Sequence, residues 1–394
     1  MTRRVKTYYF ISGALLLLIG MVYLFAPGRF LNHPKVNSAP PASRSQGPDT
    51  TFATLTFAGD VMGHQPQIDA AYKSENKTYS YENCFRHVKD YIASTDFALA
   101  NLEVTLAGPP YTGYPQFSSP DALAQAVKNA GFDYLITANN HSQDRGRYGI
   151  ERTLMVLDSL EIPHTGTFRD TAERIATYPA MVNVKGIRIA LLNYTYGTNG
   201  LVVQHPNVVN MIDTAVMRRD LVKAREMRPD FIIATLHWGL EYKRAESPDQ
   251  QKIARFLADH GADAIIGGHP HVVQPVKFLY NADSTRKVPV VYSLGNFISN
   301  QRDRYKDGGL FVELKLRKVN NKTEWYDISY VPVWVHKKEY PISYTLIPVA
   351  AWEKDSAAFG LNAKETYAIK TFTNDTRTLL NTIRENGFYK GQPE

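Results

Sequence analysis

The sequence predicts an α/β fold, and three observations carry the prediction. Short apolar runs alternate with helical patterns along most of the chain, the grammar of helices covering a sheet. Five of those runs end in the same way, with a polar, metal-competent side chain just past the last apolar residue, as happens where strand ends meet at a crevice. After Gly308 the texture changes to the alternating stretches "GGLFVELKLRKV" and "WYDISYVPVWV", which suit antiparallel strands closing a sheet.

Taken in order, residues 1–7 form a basic tail carrying Arg3, Arg4 and Lys6. Residues 8–26, "YYFISGALLLLIGMVYLFA", are 19 in number without a charge. At ~1.5 Å per residue they reach about 28 Å, close to a bilayer's hydrocarbon thickness. A single-pass transmembrane anchor is expected there, and the basic residues before it put the N-terminus in the cytoplasm and the main domain outside the cell membrane. A cleaved signal peptide is the competing reading, but the apolar region is long for one and "APGRFLNHP" has no small-x-small cleavage site. Residues 27–51 are rich in Pro, Ser and Asn and read as a linker.

The main domain is expected over 52–345. Its apolar runs place strands at Leu55–Ala58, Phe97–Leu102, Tyr134–Thr137, Ile187–Asn193, Phe231–Leu236, Ala264–Ile266 and Val288–Ser293. Helical patterns fit about 83–94, 120–131, 147–160, 213–227 and 248–260, and a C-terminal helical extension occupies 346–394, with a polar helix over roughly 364–386.

Composition narrows the function. The 394 residues are 44% hydrophobic, as in a globular protein of one large or two ordinary domains. The net charge of +7 suggests a nucleic-acid or membrane-surface partner until it is located: residues 1–50 hold six Lys/Arg and one acidic residue, so the body is nearly neutral. No nucleic acid is expected. Cys84 is the single cysteine, which excludes an intramolecular disulfide and a thiolate-rich zinc site.

The seven residues at these five strand ends fall at "TLTFAGD" (Asp60), "FALANLE" (Glu103), "FDYLITANNH" (Asn140 and His141), "FIIATLHWG" (His237) and "ADAIIGGHPHVVQP" (His269 and His271). Singly, each has a bland reading: Asp60 as a helix cap, Asn140 as a turn residue, His-x-His as an exposed turn. Together they suggest a metal site, because carboxylates supply charge, imidazoles suit Zn, Fe, Mn or Ni, and a carboxylate can bridge two cations. Two metals about 3.5–4 Å apart form a recurring hydrolytic device. The Gly-Gly before the paired histidines provides backbone free to turn sharply.

The ordered motifs "GDVMGH", "NLEVTL", "ITANNHSQDRG", "LHWGLEY", "GGHPHVVQP" and "YSLGNFI" resemble those of the bacterial capsule-synthesis CapA/PgsA family, associated with poly-γ-glutamate capsules. That family is in turn similar to calcineurin-like metallophosphoesterases. The resemblance implies a four-layer α/β/β/α sandwich with two divalent transition-metal ions (Mn, Fe or Zn). Asp60 and His271 would hold the first, Glu103 would bridge, and Asn140, His237 and His269 would hold the second. His141 would be catalytic and not a ligand, sitting over the substrate as an acid or electrostatic clamp. Two residues depart from the phosphoesterase pattern: Met62 stands where Asp-x-His has its histidine, with His64 as a substitute, and Glu103 replaces the usual bridging Asp.

The resulting expectation is a metal-dependent hydrolase or transferase of envelope-polymer synthesis, acting on a phosphoester or amide. Its partners would be an acidic polymer and a membrane-bound synthase. The rivals are a non-catalytic, polymer-binding accessory subunit and a general extracellular phosphoesterase. Trp238 and Tyr242 read as packing groups, Asn296 as a turn residue, residues 108–120 as a substrate-facing loop, and "RDRYKD" at 302–307 as a solvated charge run that could meet an acidic polymer.

Overall fold

The computed structural model describes residues 49–390, and their long strands sort into two sheets. The first runs Ile342–Pro348, Lys322–Glu339, Gly308–Val319, Thr50–Val61, Phe97–Leu102, Tyr134–Ile136, His164–Thr165. Its last four strands are parallel, and the first three add antiparallel. The second runs Val276–Tyr280, Lys287–Val291, Ala264–Gly268, Phe231–His237, Ile187–Thr195, Ala180–Val184, parallel in its four central strands.

The buried side chains give the layering. Leu55, Phe57 and Leu99 of the first sheet meet Ile189, Leu191 and Ile233 of the second in a middle core. The opposite face of the first sheet, with Ala98, Ala100 and Phe311, packs on Phe85, Tyr91, Val127 and Leu157 of its helices. The opposite face of the second, with Leu192, Ala234 and Ile265, packs on Leu221 and Leu257 of the helices Thr214–Glu226 and Pro248–Asp259. Alternate residues of one strand therefore enter different cores, which is why these runs are apolar throughout rather than every second residue. Asp213 and Ser247 start the two helices by accepting from their first-turn N–H groups.

Two sequence-derived helices differ substantially. The helix expected at 83–94 is two short ones, Glu82–Phe85 and Lys89–Ala93, separated where Val88 N–H bonds to Phe85 in a tighter i→i+3 turn. The tail helix spans Ala363–Leu379 and rests on Trp334, Ile347 and Trp352.

The membrane expectation requires correction. Residues 8–26 lie outside the described residues, and among the described residues no helix is long and apolar enough to cross a membrane. The longest of them, Ala363–Leu379, carries Lys364, Glu365, Lys370, Asp375 and Arg377. The single-pass anchor, the cytoplasmic N-terminus and the extracytoplasmic placement of the main domain are accordingly not carried by the structure.

Candidate metal centre

The strand ends named from the sequence converge. Asp60, Glu103, Asn140, His141, His237, His269 and His271 are all buried, none more than 3% exposed. The first sheet delivers oxygen donors: Asp60 in Thr50–Val61, Glu103 directly after Phe97–Leu102, and Asn140 four residues past Ile136. The second delivers imidazoles: His237 ends Phe231–His237, and His269 and His271 follow Ala264–Gly268.

The glycines before His269 have a steric explanation. A Cβ on Gly268 would lie 2.9 Å from Asp60 Oδ1, and one on Gly267 would lie 2.2 Å from the Tyr292 carbonyl oxygen. The backbone passes that close because His269 and His271 both take left-handed φ, +96° and +56°, which turns both rings onto the carboxylates at a local cost.

Two groups of three have ligand atoms mutually within 4.8 Å: Asp60, Glu103 and His237, and Glu103, His269 and His271. Glu103 belongs to both, as a bridging carboxylate must. This grouping crosses the division implied by the resemblance, although His271 Nδ1 also lies 3.3 Å from Asp60 Oδ2. His237 Nε2 is 3.4 Å from Glu103 Oε1 and 2.7 Å from Asn140 Oδ1.

The fit to cations is tested by atoms left bare. Glu103 Oε1 and His269 Nδ1 are buried and have no hydrogen-bond partner, whereas buried polar atoms are as a rule paired. Burial and then the Asp60 charge push the Glu103 carboxyl well above its usual range. Burial and neighbouring imidazoles push His237 well down and His269 to about 3, so both rings are neutral, the form that ligates. Asp60 behaves oppositely: burial opposes its charge, but the His271 hydrogen bond and the nearby His237 hold it below the usual carboxylate range. The donor set suits divalent cations.

Four residues outside the expected set help to form the site. The Asn101 amide donates to Asp60 Oδ1 at 2.8 Å and sits 3.3 Å from His237 Nδ1. It lies two residues before Glu103, on the same side of an extended strand, a period-2 signal present in "NLE". Asp144 Oδ2 lies 2.7 Å from His141 Nδ1 and accepts from Phe117 N–H at 2.7 Å. Tyr196, half-exposed, has its ring 4.5 Å from that of His269. Asn199 accepts from Asn140 Nδ2 at 3.1 Å.

The remaining expectations divide. His64 does not join the carboxylate–imidazole groups: its Nδ1 faces Gln67 Oε1 and accepts from Asn300 N–H, and burial lowers its pKa to about 4. Met62 is buried in the helix-side core. Phe117 of the 108–120 loop packs edge-on between His64 and His141, while Tyr114 of the same loop is 76% exposed. Trp238 is a packing group bonded to the Tyr292 carbonyl, but Tyr242 is exposed beside His271. Asn296 does more than turn the chain, since its Oδ1 lies 3.1 Å from His271 Nδ1.

Comparison with known proteins places this chain in a family. The model of "Bacterial capsule synthesis protein PGA_cap" matches residues 54–301, which contain all seven residues. The chain is 30% identical to the capsule biosynthesis protein CapA of Bacillus anthracis over 70% of its own length and 66% of that protein's, just under two thirds. It is 27% identical to the PGA biosynthesis protein CapA of Bacillus subtilis over 72% of each. Similar solved structures are more distant: the NAD nucleotidase NadN of Haemophilus influenzae (TM-score 0.49, 13% identity, 83% of this chain and 63% of that one) and the calcineurin-like phosphoesterase YfkN of Bacillus subtilis (TM-score 0.42, 12% identity, 84% and 99%). With the family match spanning more than half of its length, the chain belongs to the bacterial capsule synthesis protein family PGA_cap.

Proposed function

We propose that this chain is a metal-dependent hydrolase or transferase of capsule-polymer synthesis, built on a sandwich of the calcineurin-like metallophosphoesterase type and acting at a phosphoester or amide. Glu103 carries the reading. It is a fully buried carboxylate, shared by two ligand groups, with one oxygen that no hydrogen bond reaches. A carboxylate buried for structural reasons is paired; one kept bare among neutral imidazoles is arranged for cations. Asp60, Glu103, Asn140, His237, His269 and His271 would hold two divalent ions, with Mn, Fe or Zn matching the ligand types. Such ions, when bound, supply Lewis acidity toward a phosphoryl or acyl oxygen.

The contribution of the chain's own proton-transfer group is separate. His141 Nδ1 lies 2.7 Å from Asp144 Oδ2, and because a carboxylate only accepts, Nδ1 carries the proton there, which leaves Nε2 as the nitrogen that exchanges a proton with a leaving group. Asp144 is in turn anchored by Phe117 N–H, and the Phe117 ring, 4.6 Å away and nearly perpendicular, fixes the imidazole plane. The capsule names of the relatives support an acidic polymer as substrate and a polymer synthase as partner.

One observation favours a second reading, a non-catalytic subunit that binds the polymer for the synthase. Met62 sits where the phosphoesterases have a ligand histidine, and His64 is engaged elsewhere.

Elemental analysis and turnover on the full chain separate these readings. About one to two equivalents of transition metal are expected, lost on Glu103→Ala or His269→Ala, together with hydrolysis of bis(4-nitrophenyl) phosphate or a γ-glutamyl anilide. Metal content unaffected by both substitutions refutes the centre. Bound metal with neither probe cleaved favours the accessory subunit.

A further inference from the structure

A loop that carries none of the expected ligands reaches the centre. It follows Ile187–Thr195, and at Asn199 and Gly200 the backbone takes consecutive left-handed φ values of +52° and +76°. Asparagine tolerates that region better than most residues. The turn brings the exposed Asn199 side chain against buried Asn140. Asn140 Nδ2 donates to Asn199 Oδ1 at 3.1 Å, and Asn140 Oδ1 faces His237 Nε2 at 2.7 Å.

A carboxamide offers a cation only its oxygen, and a half-turn about its last bond replaces that oxygen with an NH2. Asn140 can therefore serve a metal in one of its two flips and opposes one in the other. With Asn199 oriented as it stands, the wrong flip would set Asn140 Oδ1 against Asn199 Oδ1, two acceptors face to face. The pairing with Asn199 thus selects the flip that aims oxygen at the centre.

We propose that Asn199 is a positioning residue that holds the Asn140 amide with its oxygen toward the metal centre. This rests on the metal-binding reading above. It assigns a role to the 196–200 loop, which supplies no ligand of its own, and it makes cation affinity depend on a residue at the mouth. An outward movement of that loop would remove the acceptor and release the amide.

The test is calorimetric titration of Mn2+ into the full, metal-stripped chain, with melting curves to confirm folding. Asn199→Gly keeps the left-handed backbone without the side chain and should weaken Mn2+ binding about 10–100-fold, the usual effect of losing a partner behind a ligand. Asn199→Asp offers only acceptors, holds the same flip, and should bind at least as tightly as wild type. In an Asn140→Ala background, Asn199→Gly should add almost no further loss, because the amide it orients is gone. Wild-type affinity in Asn199→Gly, or an equal loss in both backgrounds, overturns the proposal. No Mn2+ bound by the wild type overturns the metal reading beneath it, a separate outcome.

Discussion

Glu103→Gln should reverse its effect on stability according to whether metal is present. In metal-free protein the wild-type carboxylate is fully buried, has a bare Oε1, and sits beside the charge of Asp60. An unsatisfied buried polar group costs about 1–3 kcal/mol, more when charged. Glutamine has the same shape and no charge, and its NH2 can donate to a neutral imidazole, so the variant should gain about 1–3 kcal/mol. For about 340 residues at ~2.1 cal/mol/K each, the unfolding entropy is about 0.7 kcal/mol/K, which makes the gain about 1.5–4 °C in Tm.

The gain also has a pH sign. The native Glu103 carboxyl titrates well above its unfolded range, so the native state binds the extra proton and wild-type stability falls as pH rises from the unfolded pKa toward the native one. The advantage of glutamine should be absent near pH 4 and grow with pH. Metal reverses the order: at a thousand times its Kd, a cation stabilises wild type by about 4.1 kcal/mol, or about 6 °C, and should barely affect a variant lacking the bridging anion. Scanning calorimetry with EDTA and with Mn2+ gives all four values. A variant less stable than wild type in EDTA at pH 8 would refute the argument, because the carboxylate would then be satisfied in the free protein.

Three other outcomes follow from the same geometry. His141→Asn should retain its metal and lose about 10²–10⁴ in turnover; an emptied site on elemental analysis would make it a ligand. Asp144→Asn, which replaces the charged acceptor of His141 Nδ1 with a neutral amide, should lower kcat with little change in metal content and shift the pH–rate profile; an unaltered profile would leave Asp144 a purely structural role. Gly268→Ala places a methyl 2.9 Å from Asp60 Oδ1 and should cost about 1–3 kcal/mol by overpacking, with weaker Mn2+ binding in titration; wild-type binding would show that the loop yields freely.

Local pattern recorded in the sequence whatever needed only one strand to be seen. Phe97–Leu102 is apolar because both of its faces are buried, and Glu103 ends it, so strand and ligand could be read together. The helix starting at Pro248 was legible for a similar reason, with Ser247 and Gln250 closing a capping box. Partners across space were not. Asp144 looks like any polar residue of "NNHSQD" until the turn brings it under His141. Asn199 follows a strand that reads as ending at Asn193 but continues to Thr195, because Thr195 lies buried beside His237 in the paired strand. Burial also explains Met62, whose place in a ligand motif gives no hint that its side chain turns into the helix-side core.

The division of donors between the sheets has a consequence for metal choice. With the oxygens on one sheet and the imidazoles on the other, neither half alone can tell a transition metal from magnesium or calcium; the sheets must be at the right separation for an ion to touch both. The middle core sets that separation. Leu99, Leu191 and Ile233, packed in that core, would then act as a calliper for the proposed ions. Shrinking one of them would let the imidazole side drift while the oxygen side still met the needs of a hard cation. If the centre holds metal as proposed, ion selectivity would be partly a property of aliphatic packing remote from the ligands, and a core variant would change which metal is held before it changed whether the chain folds.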